Sequence, residues 1–434
     1  MEQLLERASK AGDQVEIYFL EQASDRIQFE NGRLKDMESK MQSGFSLRII
    51  KDGCLGFAYT KNLLDRDEFL KRALDSLEGK MEAPFSFPAG RALPPLNTCD
   101  PILESLPNTA LVEEGNRVCS ILRTKAKGEI NVSIQRSLAT LRLLNSRGSD
   151  YSLRSSSYYL NPSLLFPGSQ AGLDRPFLSK GFEPYPTEKL DFLQTLFNQA
   201  QKEVRPQPGK MKTLFFPEAL YGLIWRIQAG ANGKNIYEKT SPLLNKTGAQ
   251  LFDSQITLYD DPLNDQQPQA RSFDDEGVPC RKFIMIEQGV IQNPFYDLFY
   301  AGKMKTSPTG HGFKSAMWGG ETVALKPRPA LEYLYLKPGE KTFWDLVQSM
   351  DRGILVAGVL GAHSGNILNG DFSLGLAPAL YVENGWIIGR VKDAMAAGNI
   401  YETLKEVLAL EDKIHASYGG TFPAVLLDQV SVAF

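Results

Sequence analysis

Histidine is scarce. The chain of 434 residues has three, His311, His363 and His415. None stands at H-x-x-H or H-E-x-x-H spacing, the pattern that sets two imidazoles on one helix face to hold a metal. Cysteine is scarce too. Cys54, Cys99, Cys119 and Cys280 contain no C-x-x-C pair. That argues against a structural zinc cluster or a disulfide framework and fits a reduced, cytosolic setting. Long apolar runs are missing. The longest clean one, Ile354 to Leu360, falls far short of the roughly 20 residues a membrane helix needs. The start, Met1-Glu2-Gln3-Leu4-Leu5-Glu6-Arg7, is charged and amphipathic and has no signal-peptide core. Blocks of like charge are also missing. Lys plus Arg is 48 against 51 Asp plus Glu, a net charge of −3, so the basic footprint of a nucleic-acid binder is lacking.

What is present is globular. Hydrophobic residues make up 42% and charged ones 23%, and the length is that of two or three domains. Residues 1–80 read as helix, four strands, helix. Val15–Leu20 is an apolar run, and Ile27 and Phe29 alternate with polar neighbours, the period of a half-buried strand. Asn31-Gly32 marks a hairpin. Phe45, Leu47 and Ile49 alternate with Ser46 and Arg48, and Cys54–Tyr59 follows a turn. Six prolines in residues 82–107 mark a connector or meander. Asn108–Thr124 reads as a helix, and Ile130–Ile134 and Leu138–Leu144 as strands. We place the main boundary near 205–210. A strand at Thr213–Phe216 then precedes a helix opened by Pro217. Glu383-Asn384-Gly385 signals a hairpin. Asn399 caps a helix whose buried side would include Ile400, Leu404, Val407 and Leu408. Strands and helices come in blocks, which favours α+β with mixed or antiparallel sheets and flanking helices.

Few stretches look chemical. Gly230-Ala231-Asn232-Gly233-Lys234 lacks the spacing and the following Ser/Thr of a phosphate loop. Gly361-Ala362-His363-Ser364-Gly365-Asn366 is not a nucleophile elbow, since Ser364 stands one place late. It either presents His363 to a cleft or is a tight turn. Asp260-Asp261-Pro262 and Asp274-Asp275-Glu276-Gly277 could hold a hard cation or cap local turns.

Taken together, Ile27–Lys35, Gly44–Gly53, Gly56–Thr60, Asp260-Asp261-Pro262, Phe273–Pro279, Gly361–Asn366 and Gly370–Ser373 resemble the TldD/PmbA family, also called modulators of DNA gyrase. The resemblance runs along nearly the whole chain. It implies an N-terminal α+β domain over 1–205, with the connector near 82–107. It implies a metallopeptidase-like domain over 206–434. The TldD branch carries H-E-x-x-x-H on a helix and a Cys near the C-terminus. The PmbA branch, or TldE, lacks them and pairs with TldD. Here Trp225 and Arg226 stand about where the first His and the Glu would fall, and no Cys follows Cys280.

The resemblance therefore implies a subunit that holds no cofactor, with zinc in a TldD-like partner, and that is not catalytic alone. It would supply dimer or substrate-cleft surface for peptide proteolysis or maturation in the cytoplasm. The partnership expected is a heterodimer, with a homodimer for the isolated chain, and no membrane contact. The cleft candidates are His363, Ser364, Asn366, Asp274, Asp275 and Glu276. Two alternatives stand beside this reading. One is an independent peptidase using His311, His363 and the acids at 274–276. The other is a gyrase-modulating binding protein, though gyrase or nucleic acid is not expected as a direct partner.

Overall fold

The computed structural model describes residues 1–268, 270–316 and 319–434. Its first half is a seven-stranded antiparallel sheet with helices against it. Helix α1 (Glu2–Ser9) leads into β1 (Gln14–Glu30), β2 (Arg33–Lys51) and β3 (Cys54–Thr60). Helix α2 (Arg66–Asp75) follows, its first turn capped by Asp65, which accepts from Glu68 N at 2.8 Å. Helix α3 (Asn108–Lys125), β4 (Glu129–Asn145), β5 (Asp150–Leu165) and α4 (Thr187–Gln199) complete it. The sheet order is β3-β2-β1-β4-β5, with two short strands on β5.

Two expectations change here. Residues 14–30 form one strand, so three strands stand between α1 and α2 where the sequence pattern suggested four. Likewise 129–145 is one strand and not two. The polar middles, Glu21–Arg26 and Gln135–Ser137, are paired with neighbours on both edges. Ladder hydrogen bonds hold such segments extended whatever their side chains prefer.

The second half is built on a nine-stranded sheet. Strand β6 (Gly209–Phe215) runs into α5 (Pro217–Ala231), with Pro217 at the first helical turn, where its missing N–H costs nothing. The short α6 (Leu298–Met304), about two turns long, comes later. Then follow β7 (Arg352–Val356), β8 (Asp371–Leu376), β9 (Ala379–Glu383), β10 (Trp386–Val391), β11 (Ala394–Asn399) and β12 (Val425–Ala433). The order from Val359–Leu360 is β8-β11-β12-β6-β7-β9-β10, and β6 and β7 are parallel. A smaller six-stranded sheet lies alongside. The helix capped by Asn399 stops at Thr403, and Val407–Leu410 is a strand on β12. Val407 and Leu410 bury there while Leu408 is 43% exposed, so the helical stripe read from their spacing does not continue past Leu404.

Packing crosses residue 205. One apolar cluster joins Ile27, Leu111, Leu160 and Leu193 to Leu214, Leu355 and Leu426. Phe343 packs edge-on against Phe192 at 4.9 Å and Phe216 at 5.1 Å. Buried Arg175 meets Glu218 at 3.1 Å. The two halves therefore share a core, and the space left between them is a cleft.

Candidate functional site: an aromatic and acidic cleft

The cleft has a volume of about 1150 Å³. Helix α5 forms one wall. Its apolar side, Leu220, Leu223, Ile224 and Ile227, is buried in the core. Its other side presents Tyr221, Trp225, Gln228 and Ala229 to the cleft, the positions that share a helix face. Phe85, Phe299 and Tyr418 add aromatic surface from three distant segments.

Arg226 lies on α5 beside Trp225 but is fully buried. Its guanidinium donates to four backbone carbonyls: Gly222, Ala362 at 3.1 Å, Ser364 at 2.6 Å and Asp371 at 2.7 Å. Burial pulls its pKa below the ordinary arginine value, against the charge of Asp371. The planar fork thus stitches loop 361–366 to the helix. Gly361 enters that loop at φ +66°, where a side chain is strained. His363 is carried to the cleft wall and is exposed there.

The opposite wall is acidic. Asp274 accepts from the backbone N–H of Glu276 (2.9 Å), Val278 (2.9 Å) and Gly312 (2.9 Å). Burial and nearby Glu276 push its carboxyl well up, against three donors that favour the ionised form. Asp275 pairs with Arg271 at 2.8 Å and accepts from Lys314 N. Glu276 reaches the cleft. Its Oε1 takes Arg48 Nη1 at 2.7 Å and its Oε2 takes Leu298 N at 2.6 Å. Gly312 must be glycine, since a Cβ there would sit 2.2 Å from Glu276 Oε2.

Arg48 joins the halves. It is paired across the ladder with Glu16, meeting Oε1 from Nε at 2.8 Å, and all three partners are buried. Burial alone would lower the arginine pKa, but the two carboxylates outweigh it and hold it above its usual value. Burial also raises Glu16, with Arg48 opposing. Asp297 caps α6 through Tyr300 N at 2.7 Å, and burial with Glu276 pushes it up to about 8. Glu332 keeps accessible surface, but that surface faces the cleft; crowding by protein atoms, with Asp275 and Asp260, pushes it up to about 7. Behind this wall, burial and Arg48 pull Lys314 down to about 7. Its Nζ donates to Leu325 O at 2.7 Å and lies over the Tyr18 ring.

Of the residues singled out from sequence, His363 and Glu276 share the cleft. Asp274 and Asp275 lie buried beneath it and build the turn. Ser364 supplies a carbonyl to Arg226, and Asn366 accepts from Asn369 N at 3.2 Å, so both shape their loop. His311 is 1% exposed, bonded to Thr309 at 2.8 Å and facing Asp260 at 3.4 Å. It does not join His363. His415 pairs with Glu411 at 3.0 Å, and burial pulls its pKa down.

The donor set does not fit the zinc that the family resemblance implies elsewhere. The cleft side of α5 offers a phenol, an indole, an amide and a methyl group, none a usual zinc ligand. Among the described residues no three His, Cys, Asp or Glu side chains converge as a metal site.

Sequence reading missed Arg48, Asp297, Glu332 and the aromatic wall. Alternation placed Arg48 on the polar face of its strand, and no local signal shows that the second half covers that face. Asp297 had a faint one, an Asp just before a short apolar stretch.

Comparison with known proteins agrees with this architecture. Residues 208–434 match the model of the PmbA/TldA metallopeptidase C-terminal domain, and 15–78 match domain 1 of the same family. An uncharacterized protein of Methanocaldococcus jannaschii is 24% identical over 416 residues, 95% of each chain. A protein of Methanothermobacter thermautotrophicus named metalloprotease is 26% identical over 397 residues, 88% of this chain and 84% of that one. The crystal structure of TldE from Thermococcus kodakarensis matches the fold with a TM-score of 0.91, at 23% identity and full coverage of both chains. The chain belongs to the TldD/PmbA family and shares its metallopeptidase-like architecture.

Proposed function

We propose that this chain is a PmbA/TldE-type subunit that forms a peptide-holding wall beside a TldD-like catalytic subunit, which supplies the zinc. The observation that carries the reading is the state of α5. The helix that bears the metal motif in the TldD branch turns Tyr221, Trp225, Gln228 and Ala229 to the cleft and spends Arg226 on backbone carbonyls. Hydrolysis by zinc needs a ligand set and a base for the water; the cleft side of this helix offers neither, and its one carboxylate, Glu218, is paired with Arg175.

The cleft's own residues can bind and orient an extended peptide. Aromatic faces take apolar side chains. Glu332 and Asp297, held near neutrality, can accept or donate hydrogen bonds to a passing backbone. Exposed Lys326 and Arg328 stand at the margin.

The test is reconstitution with a TldD-like chain bearing the full H-E-x-x-x-H set. The pair should co-purify and cleave an unfolded peptide faster than the TldD-like chain alone. Metal analysis should find zinc in the pair and none in this chain by itself. Trp225→Ala should raise KM about tenfold with little change in kcat. Stoichiometric zinc in the isolated chain, with chelator-sensitive cleavage, would overturn the proposal.

A further inference from the structure

The charges of the cleft are unevenly used. Glu276 is taken up by Arg48 and Leu298 N, and Asp297 caps α6. The cations at the margin are not taken up in this way. Lys326-Pro327-Arg328-Pro329 lines the cleft, and both charged residues are exposed. Lys326 Nζ meets the Met81 thioether at 3.5 Å and lies 5.6 Å from the centre of the Phe57 ring. Among the described residues the Arg328 guanidinium has no hydrogen bond or ion pair. Glu332 senses its charge, but crowding by protein atoms works against ionisation there.

The backbone beneath these two heads is fixed. Proline locks φ at about −65° at 327 and 329. Arg328–Pro329 pairs with Gly312–Phe313. Leu325 O accepts from Lys314 Nζ at 2.7 Å, Pro329 O accepts from Asn232 Nδ2 at 3.0 Å, and Ala330 N donates to His311 O at 3.0 Å. Such pinning leaves little but side-chain freedom to lose on binding. Residues two apart on an extended segment lie about 7 Å apart, so a long ammonium and a guanidinium can converge on one carboxylate. The guanidinium fork matches its two oxygens. A nucleic acid needs a track of cations along its phosphates and is poorly served by two.

We infer that Lys326 and Arg328 form a carboxylate subsite, so that the cleft selects peptides carrying an acidic side chain or a free C-terminus at this margin. The inference rests on the peptide-holding reading of the cleft.

The test uses one unfolded peptide in three fluorescent forms. One is amidated with a central Glu, one is amidated with Gln there, and one has the Gln and a free C-terminus. Anisotropy reads their binding to the full chain, and KM reads their use by the pair reconstituted with a TldD-like subunit. One or both carboxylate forms should bind about tenfold tighter than the amidated Gln form, as two partly exposed ion pairs supply. Which form does so identifies the source of the carboxylate. Arg328→Gln and Lys326→Gln should each reduce that ratio about threefold, and Arg328→Glu should invert it. Each variant should melt with the native chain, as exposed substitutions do. Equal binding of all three forms would overturn the inference, as would a ratio indifferent to the substitutions. So would an oligonucleotide that competes as strongly as the Glu peptide. Loss of co-purification in Arg328→Gln would make these cations a subunit contact and overturn it too. A ratio present in the full chain, with a pair that cleaves no faster than the TldD-like chain alone, would leave the subsite and remove the partnership. Faster cleavage of all three forms alike would do the reverse.

Discussion

Two buried arginines bracket the cleft, and they are satisfied in opposite ways. Arg48 meets two carboxylates, Glu16 and Glu276, from the two halves of the chain. Arg226 meets backbone carbonyls alone. The first is an ion-pair bridge whose members depend on one another. The second is a clamp that shapes one loop. A buried ion pair gains little over an apolar replacement, but removing one member leaves uncompensated charge. A clamp on carbonyls leaves only neutral groups behind when it is lost. The two sites should therefore fail differently.

Arg48→Met should have the largest effect. It leaves Glu16 and Glu276 buried without their cation and should cost about 3–5 kcal/mol, read as a lower melting temperature and urea midpoint. If the loss is under 1 kcal/mol, the bridge does not hold the halves together. Arg226→Met should cost about 2–3 kcal/mol and open residues 361–371 to proteolysis. Arg226→Lys should not rescue it, because one ammonium cannot span carbonyls that a guanidinium fork reaches.

A smaller effect depends on pH. The folded chain holds Asp297 at about 8, whereas an unfolded aspartate ionises near about 4. Between those values the unfolded chain binds fewer protons, so this group's contribution is full at low pH and is lost as pH rises through about 8. Asp297→Asn keeps a capping side chain and removes the titration. Its melting temperature should fall less than the native one between pH 5 and pH 8. An identical slope would mean that Asp297 is ionised throughout. Smallest of all, His363→Ala should change stability by less than about 0.5 kcal/mol, as an exposed substitution. An unchanged KM in the reconstituted pair would place His363 outside substrate contact.

Local features were legible because their causes are local. Asn31 and Gly32 adopt φ of +47° and +67°, and Asn384 and Gly385 +50° and +79°, as such hairpin turns require. Asp65 caps its helix through a side chain three residues from its donor. Loop 361–366 was legible as unusual, but the sequence left open whether it was a cleft wall or a turn. It is both, because Arg226 holds its carbonyls while His363 faces outward. The acids at 274–276 looked alike in sequence. Only their neighbours separate Glu276, which lines the cleft, from Asp274 and Asp275, which lie under it.

The sequence by itself determined the α+β class, the hairpin turns, the helix starts and the lack of His, Cys and Asp along 217–231. Each depends on residues a few positions apart. The tertiary structure alone decided which polar faces are dry. Arg48 and Glu276 are 228 positions apart, and alternation says only which side chains share a face. Whether water or another part of the chain covers that face depends on long-range packing, and the chemistry of the cleft follows from it.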